Sequence, residues 1–191
     1  MLERFKVPEK DRVYVAEGQI RTATEAIFRH SGVSVDEAAR STDVLITNDL
    51  RGVESHGVSN MLRHYVADYG TNKLNPTPEF KVVRESKTTM TIDADRALGT
   101  HVGPWAMQHA IDKAKEFGMG AVAVTNSGHL AGCGYYAMMA AQQGMIGHCM
   151  TAGGSHQTVP TFGSKPVMGT NPIAWAAPAR NMPPFLFDVA T

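Results

Sequence analysis

The sequence predicts an α/β protein built around a mixed sheet, and three observations predict it. Apolar residues in the first 70 positions recur at spacings of three and four, the period of amphipathic helices. "FKVVRE" and "TTMTIDAD" are β-rich runs joined through Ser86 and Lys87, which reads as an antiparallel hairpin. Beyond residue 120, "GAVAVTN", "SGHLAGCG", "YYAMMAAQQ" and "MIGHCMT" read in turn as buried strand, glycine-rich loop, helix and second buried strand.

The elements follow in order. "TATEAIFRHSG" predicts a helix that starts at Thr22 or Thr24 and stops at Gly32. Ser34 and Glu37 form a capping box ahead of a second helix whose apolar face runs Val35, Ala38, Ala39, Thr42, Leu45 and Ile46 before breaking at "RG". A third stripe, Val58, Met61, Leu62, Tyr65, Val66 and Tyr69, puts Ser55, His56 and Gly57 at the first turn of its helix. "NKLNPTPE" is a turn-rich link to the hairpin, and a helix from about Val102 to Phe117 is stopped by Gly118. After the second buried strand, the long loop "AGGSHQTVPTFGSKPVMGTNP" leads to the strands "IAWAAPA" and "FLFDVAT", the latter with Asp188 near its end. The sequence stops just after a strand with no closing turn, so it is expected to be the first part of a longer protein.

Composition narrows the functional classes. The 191 residues are 43% hydrophobic, enough to fill the core of one compact domain or two small ones. Lys plus Arg and Asp plus Glu number 18 each, so no net charge steers the chain toward nucleic acid or an anionic membrane. No apolar run approaches the roughly 18 residues of a membrane span. Cys133 and Cys149 sit among small and apolar residues, and the charged start is unlike a secretory leader; reduced thiols and a cytoplasmic location are expected. The eight histidines include no H-E-x-x-H and no pair four apart, so no metal site is expected. His64 and His109 read as surface or packing residues of helices, and "AMMAA" as core filling.

Two stretches carry chemistry. In "DLRGVESHGV", Arg51, Ser55 and His56 gather between Gly52 and Gly57, where a ligand could approach closely and an imidazole could exchange a proton near neutrality. The same residues are also consistent with a histidine that only caps or packs at a helix start. A Ser-His dipeptide is no hydrolase signature, because adjacent residues rarely aim side chains at one another. In "NSGHLAGCGYYA", Gly132, Gly134 and Ala137 match the G-x-G-x-x-A dinucleotide fingerprint. The match fails in context: Gly132 lies seven residues beyond Thr125 at the strand end, and the next strand ends in Thr151 with no acid. What remains is a loop whose backbone a ligand could reach, with His129 as a second proton donor or hydrogen-bond partner. The loop before "IAWAAPA" exceeds the usual ceiling of about 15 residues for a structureless connection, which points to function.

Taken in register, "DLRGVESHGV", "VTNSGHLAGCGYYA", "VPTFGSKPVMGTNPIAWAAP" and "FLFDVAT" resemble the malate/L-lactate dehydrogenase family of NAD(P)-dependent 2-oxoacid reductases, which includes sulfolactate, ureidoglycolate and diketogulonate dehydrogenases. The resemblance implies a cofactor fold distinct from the Rossmann fold, a homodimer, NAD or NADP as cofactor, and a small 2-oxo or 2-hydroxy acid as substrate. It implies residues 1–75 as a helical segment carrying the catalytic histidine and 76–191 as part of an α/β cofactor-binding domain. By resemblance His56 is the proton donor and acceptor with Ser55 beside it, and His129 is a second active-site histidine. Thr170 touches substrate, while Asp188, Ala190 and Thr191 belong to the cofactor pocket, together with Thr158, Pro160 and Gly163. Relatives carry an arginine four residues after the catalytic histidine, where this chain has Asn60; Arg63 or Arg51 is expected to substitute as carboxylate clamp. Family chains also run well past "DVAT". The rival readings are a shortened, non-catalytic binding or assembly relative and a cyclic imino acid reductase on the same scaffold.

Overall fold

Helix α1 (Glu17–His30) begins ahead of the expected start at Thr22 or Thr24. Thr22 is not a cap: its hydroxyl donates back to the Gly18 carbonyl at 2.9 Å inside the helix, and Arg21 pairs with Glu17 one turn earlier at 3.0 Å. The structure, a computed structural model, describes residues 8–153 and 156–191. Residues 1–7 of the charged leader, and Gly154 and Ser155 of the long loop, lie outside the described residues.

Helix α2 (Val35–Leu50) starts as expected, with Ser34 Oγ accepting the Glu37 N–H at 3.4 Å. The reciprocal half of the capping box is not made. The Glu37 carboxylate turns instead to Arg40 and to the buried His101, whose Nε2 lies at 2.8 Å. A single 3-10 turn, Glu54–His56, then precedes α3 (Val58–Gly70), so Ser55 and His56 stand before this helix and not in its first turn. Phe28, Val44, Leu45, Leu62 and Tyr65 bury the facing stripes of these three helices in one cluster. Leu98, Ala131 and Tyr136, from beyond residue 75, close the same cluster. A fully buried leucine such as Leu45 contributes roughly 2 kcal/mol through the area it removes from water.

Strands β1 (Lys81–Glu85) and β2 (Thr89–Ala97) form the expected antiparallel hairpin, with Ser86 Oγ and Thr89 Oγ1 2.8 Å apart across the turn. Helix α4 (Gly99–Phe117) starts three residues ahead of Val102 and ends where expected, at Gly118 in the left-handed region (φ +83°). Strand β3 (Ala121–Ser127) returns parallel to β2, which makes the β1-β2-β3 sheet mixed. Beyond it come α5 (Gly134–Ala141), β4 (Gly147–Met150), β5 (Ile173–Ala177) and β6 (Phe185–Val189), the last three forming an antiparallel sheet in the order β4-β5-β6.

The strands of the run β3, α5, β4 belong to different sheets, since β3 pairs with β2 whereas β4 pairs with β5. The expectation that β3 and β4 are buried strands is corrected here: neither is covered on both faces. Each packs one face on α4 or α5 and leaves the other open; Met150 is 65% exposed. The outer face of the second sheet carries Trp175, Phe185 and Phe187, with His148 stacked on Trp175 at 3.9 Å. The long loop has only the isolated bridge Thr158–Met168 among its described residues. No helix among the described residues is long and apolar enough to cross a membrane.

Candidate active site

The C-terminal end of α2 builds the turn that carries His56. Asn48 Nδ2 donates to the His56 carbonyl at 3.1 Å, and Asp49 Oδ2 accepts the Val58 N–H at 2.9 Å, capping α3 from outside its own chain segment. Gly57 between them has no room for a side chain, since a Cβ there would overlap the Asp49 carboxylate. Burial raises the Asp49 carboxyl above its ordinary value of 3.8, the Val58 N–H opposes that rise, and the charge on Glu54 adds to it. Ser55 Oγ lies 2.9 Å from His56 Nδ1, so the 3-10 turn does aim these adjacent side chains at one another, against the sequence expectation. A hydrolase triad would need an acid on the nitrogen that Ser55 occupies.

The glycine-rich loop between β3 and α5 faces this turn. Two non-glycine residues in and beside it adopt left-handed backbone, Asn126 (φ +54°) and Ala131 (φ +56°), a conformation that is disfavoured for side chains with a Cβ and that clusters at functional sites. Gly132 packs against Asn48 so closely that a Cβ would sit 2.7 Å from Asn48 Oδ1; one buried amide therefore braces both the His56 turn and this loop. Gly134 opens α5 and donates its N–H to Asp188 Oδ2 at 2.7 Å.

These contacts bring His129 over His56, with ring centroids 5.6 Å apart and planes 21° from parallel. Tyr65 Oη is 2.8 Å from His129 Nδ1, and the Ala131 N–H reaches the same nitrogen at 3.3 Å. Desolvation lowers the His129 imidazolium below its ordinary value of 6.5, with smaller contributions from positive charge on His56 and His64.

A cleft of about 1050 Å³ opens above the two rings. Of the residues singled out in the sequence, Arg51, Ser55, His56, His129, Thr170, Asp188 and Ala190 line it. Asn60, Arg63, Thr158, Pro160, Gly163 and Thr191 are not on its lining. Asn60 instead donates to the Glu54 carbonyl at 2.8 Å and ties the 3-10 turn to α3. Arg63 is exposed on α3. Thr158 pairs with Met168, Pro160 accepts the Gly163 N–H at 2.8 Å in a turn of the long loop, and Thr191 Oγ1 bonds the Asn171 carbonyl at 2.6 Å. The Arg51 guanidinium has no hydrogen-bond or ion-pair partner among the described residues, which leaves a free cation in the cleft. Among the described residues no group of three or more His, Cys, Asp or Glu could hold a metal ion.

A family model for malate/L-lactate dehydrogenase matches residues 15–191. The chain belongs to this family. The malate dehydrogenase of Pyrococcus horikoshii is 42% identical over 188 residues, which are 95% of this chain and 51% of that protein. Its solved structure superimposes over the whole of this chain and 54% of its own, with a TM-score of 0.93 and 41% identity. The L-sulfolactate dehydrogenase of Methanocaldococcus jannaschii is 39% identical over 166 residues, 86% of this chain and 47% of that one. The delta1-piperideine-2-carboxylate reductase of Pseudomonas syringae pvar. tomato shares the fold at 25% identity, with a TM-score of 0.85 over 94% of this chain and 54% of its own. The chain thus spans about half the length of the curated relatives it matches.

Sequence reasoning passed over Asn48, Asp49 and Tyr65. Asp49 carried a signal, for it continues the apolar stripe of Thr42, Leu45 and Ile46 at helical spacing, and a carboxylate on a buried face calls for a partner. Tyr65 carried none, because within an apolar stripe a tyrosine is indistinguishable from core filling.

Proposed function

We propose that the protein transfers a hydride between a nicotinamide cofactor, NAD or NADP, and a small 2-hydroxy or 2-oxo acid. The observation that supports this reading best is the convergence of His56, His129 and the unpaired Arg51 on one cleft. That set matches the needs of a 2-oxo acid: a proton for its carbonyl oxygen, a second donor for the same oxygen, and a fixed cation for its carboxylate. Ser55 engages Nδ1 of His56, so Nε2 is the atom assigned to the proton exchange. Arg51 takes the clamp role, and the guanidinium fork suits a carboxylate through two parallel bonds. Asn60 is assigned to holding the turn, not to the substrate.

The cofactor supplies the hydride when bound. The cleft lies at the upper end of the roughly 300–1,000 Å³ of small-molecule sites, which gives space for a nicotinamide beside the acid. Asp188 and Ala190 would hold it from the β6 side and Thr170 would contact the substrate; Thr158, Pro160, Gly163 and Thr191 receive no role. On this reading residues 1–75 supply the proton machinery and 76–191 supply part of the cofactor wall, in a homodimeric cytoplasmic enzyme.

The test is oxidation of NADH and NADPH by the full-length protein with a panel of 2-oxo acids and cyclic imines. His56→Ala is expected to lower turnover by at least about a hundredfold while cofactor binding is kept. Turnover at the parent rate would remove His56 as proton donor, and turnover of imines alone would replace the acid substrate.

A further inference from the structure

We propose that Tyr65 is a positioning residue: its hydroxyl and the Ala131 N–H together hold His129 Nδ1 as an acceptor, so that His129 meets its substrate with an Nε2–H donor and leaves proton exchange to His56. The inference deepens the dehydrogenase reading and rests on it for the word substrate, but the tautomer itself stands on contacts within the protein.

A backbone N–H can only donate. The long Ala131 N–H contact at 3.3 Å favours a lone pair on His129 Nδ1, and the Tyr65 hydroxyl, 2.8 Å from the same atom, donates into that lone pair and is the contact that holds it. Tyr65 is 2% exposed, and its burial pushes the phenol well above its ordinary value, which keeps the proton on its oxygen. Ala131 reaches this position in the left-handed region at φ +56° and is itself buried, so the loop carries local strain at the residue that points its N–H at the ring. With the single Nδ1 lone pair engaged by both donors, the neutral ring carries its proton on Nε2, which has no hydrogen-bond partner among the described residues.

The arrangement also separates the two histidines. Protonating His129 would set an N–H against the Ala131 N–H and place a cation beside His56 and His64, the basic groups whose charge acts on it, from the 3-10 turn and α3. At His56 the neighbour of Nδ1 is a serine hydroxyl, which donates or accepts as required. Two imidazoles 5.6 Å apart thus take different tasks: a fixed donor for an oxygen that gains negative charge, and a group that carries the proton.

The experiment is a two-bond nitrogen–proton NMR correlation on the full-length protein with nitrogen-15-labelled histidine, near neutral pH, with His129 assigned by the signals missing in His129→Gln. The expected result is an acceptor-type Nδ1 and a protonated Nε2 in the parent, and a mixture of the two tautomers in Tyr65→Phe, which keeps the ring and loses only the hydroxyl. On the dehydrogenase reading, Tyr65→Phe also lowers kcat about tenfold, the scale of one hydrogen bond, with the KM for cofactor little changed. A protonated Nδ1 in the parent, or an unchanged tautomer ratio in folded Tyr65→Phe, overturns the proposal. The spectrum needs no turnover, so a protein that oxidises no nicotinamide while showing the expected tautomer refutes the dehydrogenase reading alone.

Discussion

Gly57→Ala tests how the His56 turn is held. The backbone at Gly57 (φ −94°, ψ −170°) is extended and open to any residue, so an alanine there brings no torsional strain. What it brings is a methyl where the Asp49 carboxylate sits. The carboxylate must swing away, and α3 then loses the acceptor of its Val58 N–H, worth about 1 kcal/mol for a helix cap. Displacing a half-buried carboxylate from its partner adds about 1–2 kcal/mol. The sum, about 2–3 kcal/mol, corresponds to a fall in Tm of about 5–10 °C for a chain of this size. The decisive assay is a double-mutant cycle by urea or thermal unfolding on the parent, Gly57→Ala, Asp49→Ala and the double variant. With the carboxylate gone, the added methyl has nothing to strike, so Gly57→Ala should then be nearly neutral, a coupling of about 2 kcal/mol. Additive losses, or an unchanged Tm in the single variant, would refute the argument that Gly57 is small because of Asp49.

Asp49→Asn addresses the same carboxylate through pH. Because burial raises its folded value above 3.8, the native state binds a proton before the unfolded state does, and the parent loses stability as pH rises from about 4 through that folded value. Asp49→Asn should therefore gain on the parent over that climb in urea titrations; a gain on acidification instead would mean that the Val58 N–H outweighs desolvation. His129 has the opposite sign, since its folded value lies below 6.5 and the parent should lose stability as pH falls beneath that point. His129→Gln should flatten this slope, and an unaltered slope would assign the loss to another group. On the proposed dehydrogenase reading, Arg51→Gln should raise the KM for a 2-oxo acid by roughly 10- to 100-fold, the value of a charge-assisted bond, with cofactor affinity preserved. If Arg63→Gln has that effect and Arg51→Gln does not, the clamp lies outside the cleft described.

What the sequence determined by itself is what short-range chemistry writes. The Ser34 cap, the Ser86-Lys87 hairpin turn, the Gly118 stop and the stripe from Val58 to Tyr69 each depend on residues within a turn or two of one another. Motif order likewise pointed to the family and to His56 and His129, and the failed dinucleotide fingerprint agrees with a chain whose β3 and β4 are in different sheets. Tertiary structure alone decided the rest. An apolar run shows that a strand wants cover but not how many faces receive it, so β3 and β4 read as buried strands although neither is covered on both faces. Helical spacing marks the inward face of α3 but not what lies opposite, and Tyr65 meets His129 across 64 residues of sequence. Arg51 and Arg63 are equivalent as candidate clamps in one dimension; only the path of the chain through space puts Arg51 in the cleft and leaves Arg63 on the surface, while Asn60 turns back to Glu54. Local propensities act over a few bonds, whereas a site is made by side chains that converge through space, and that convergence is set by packing.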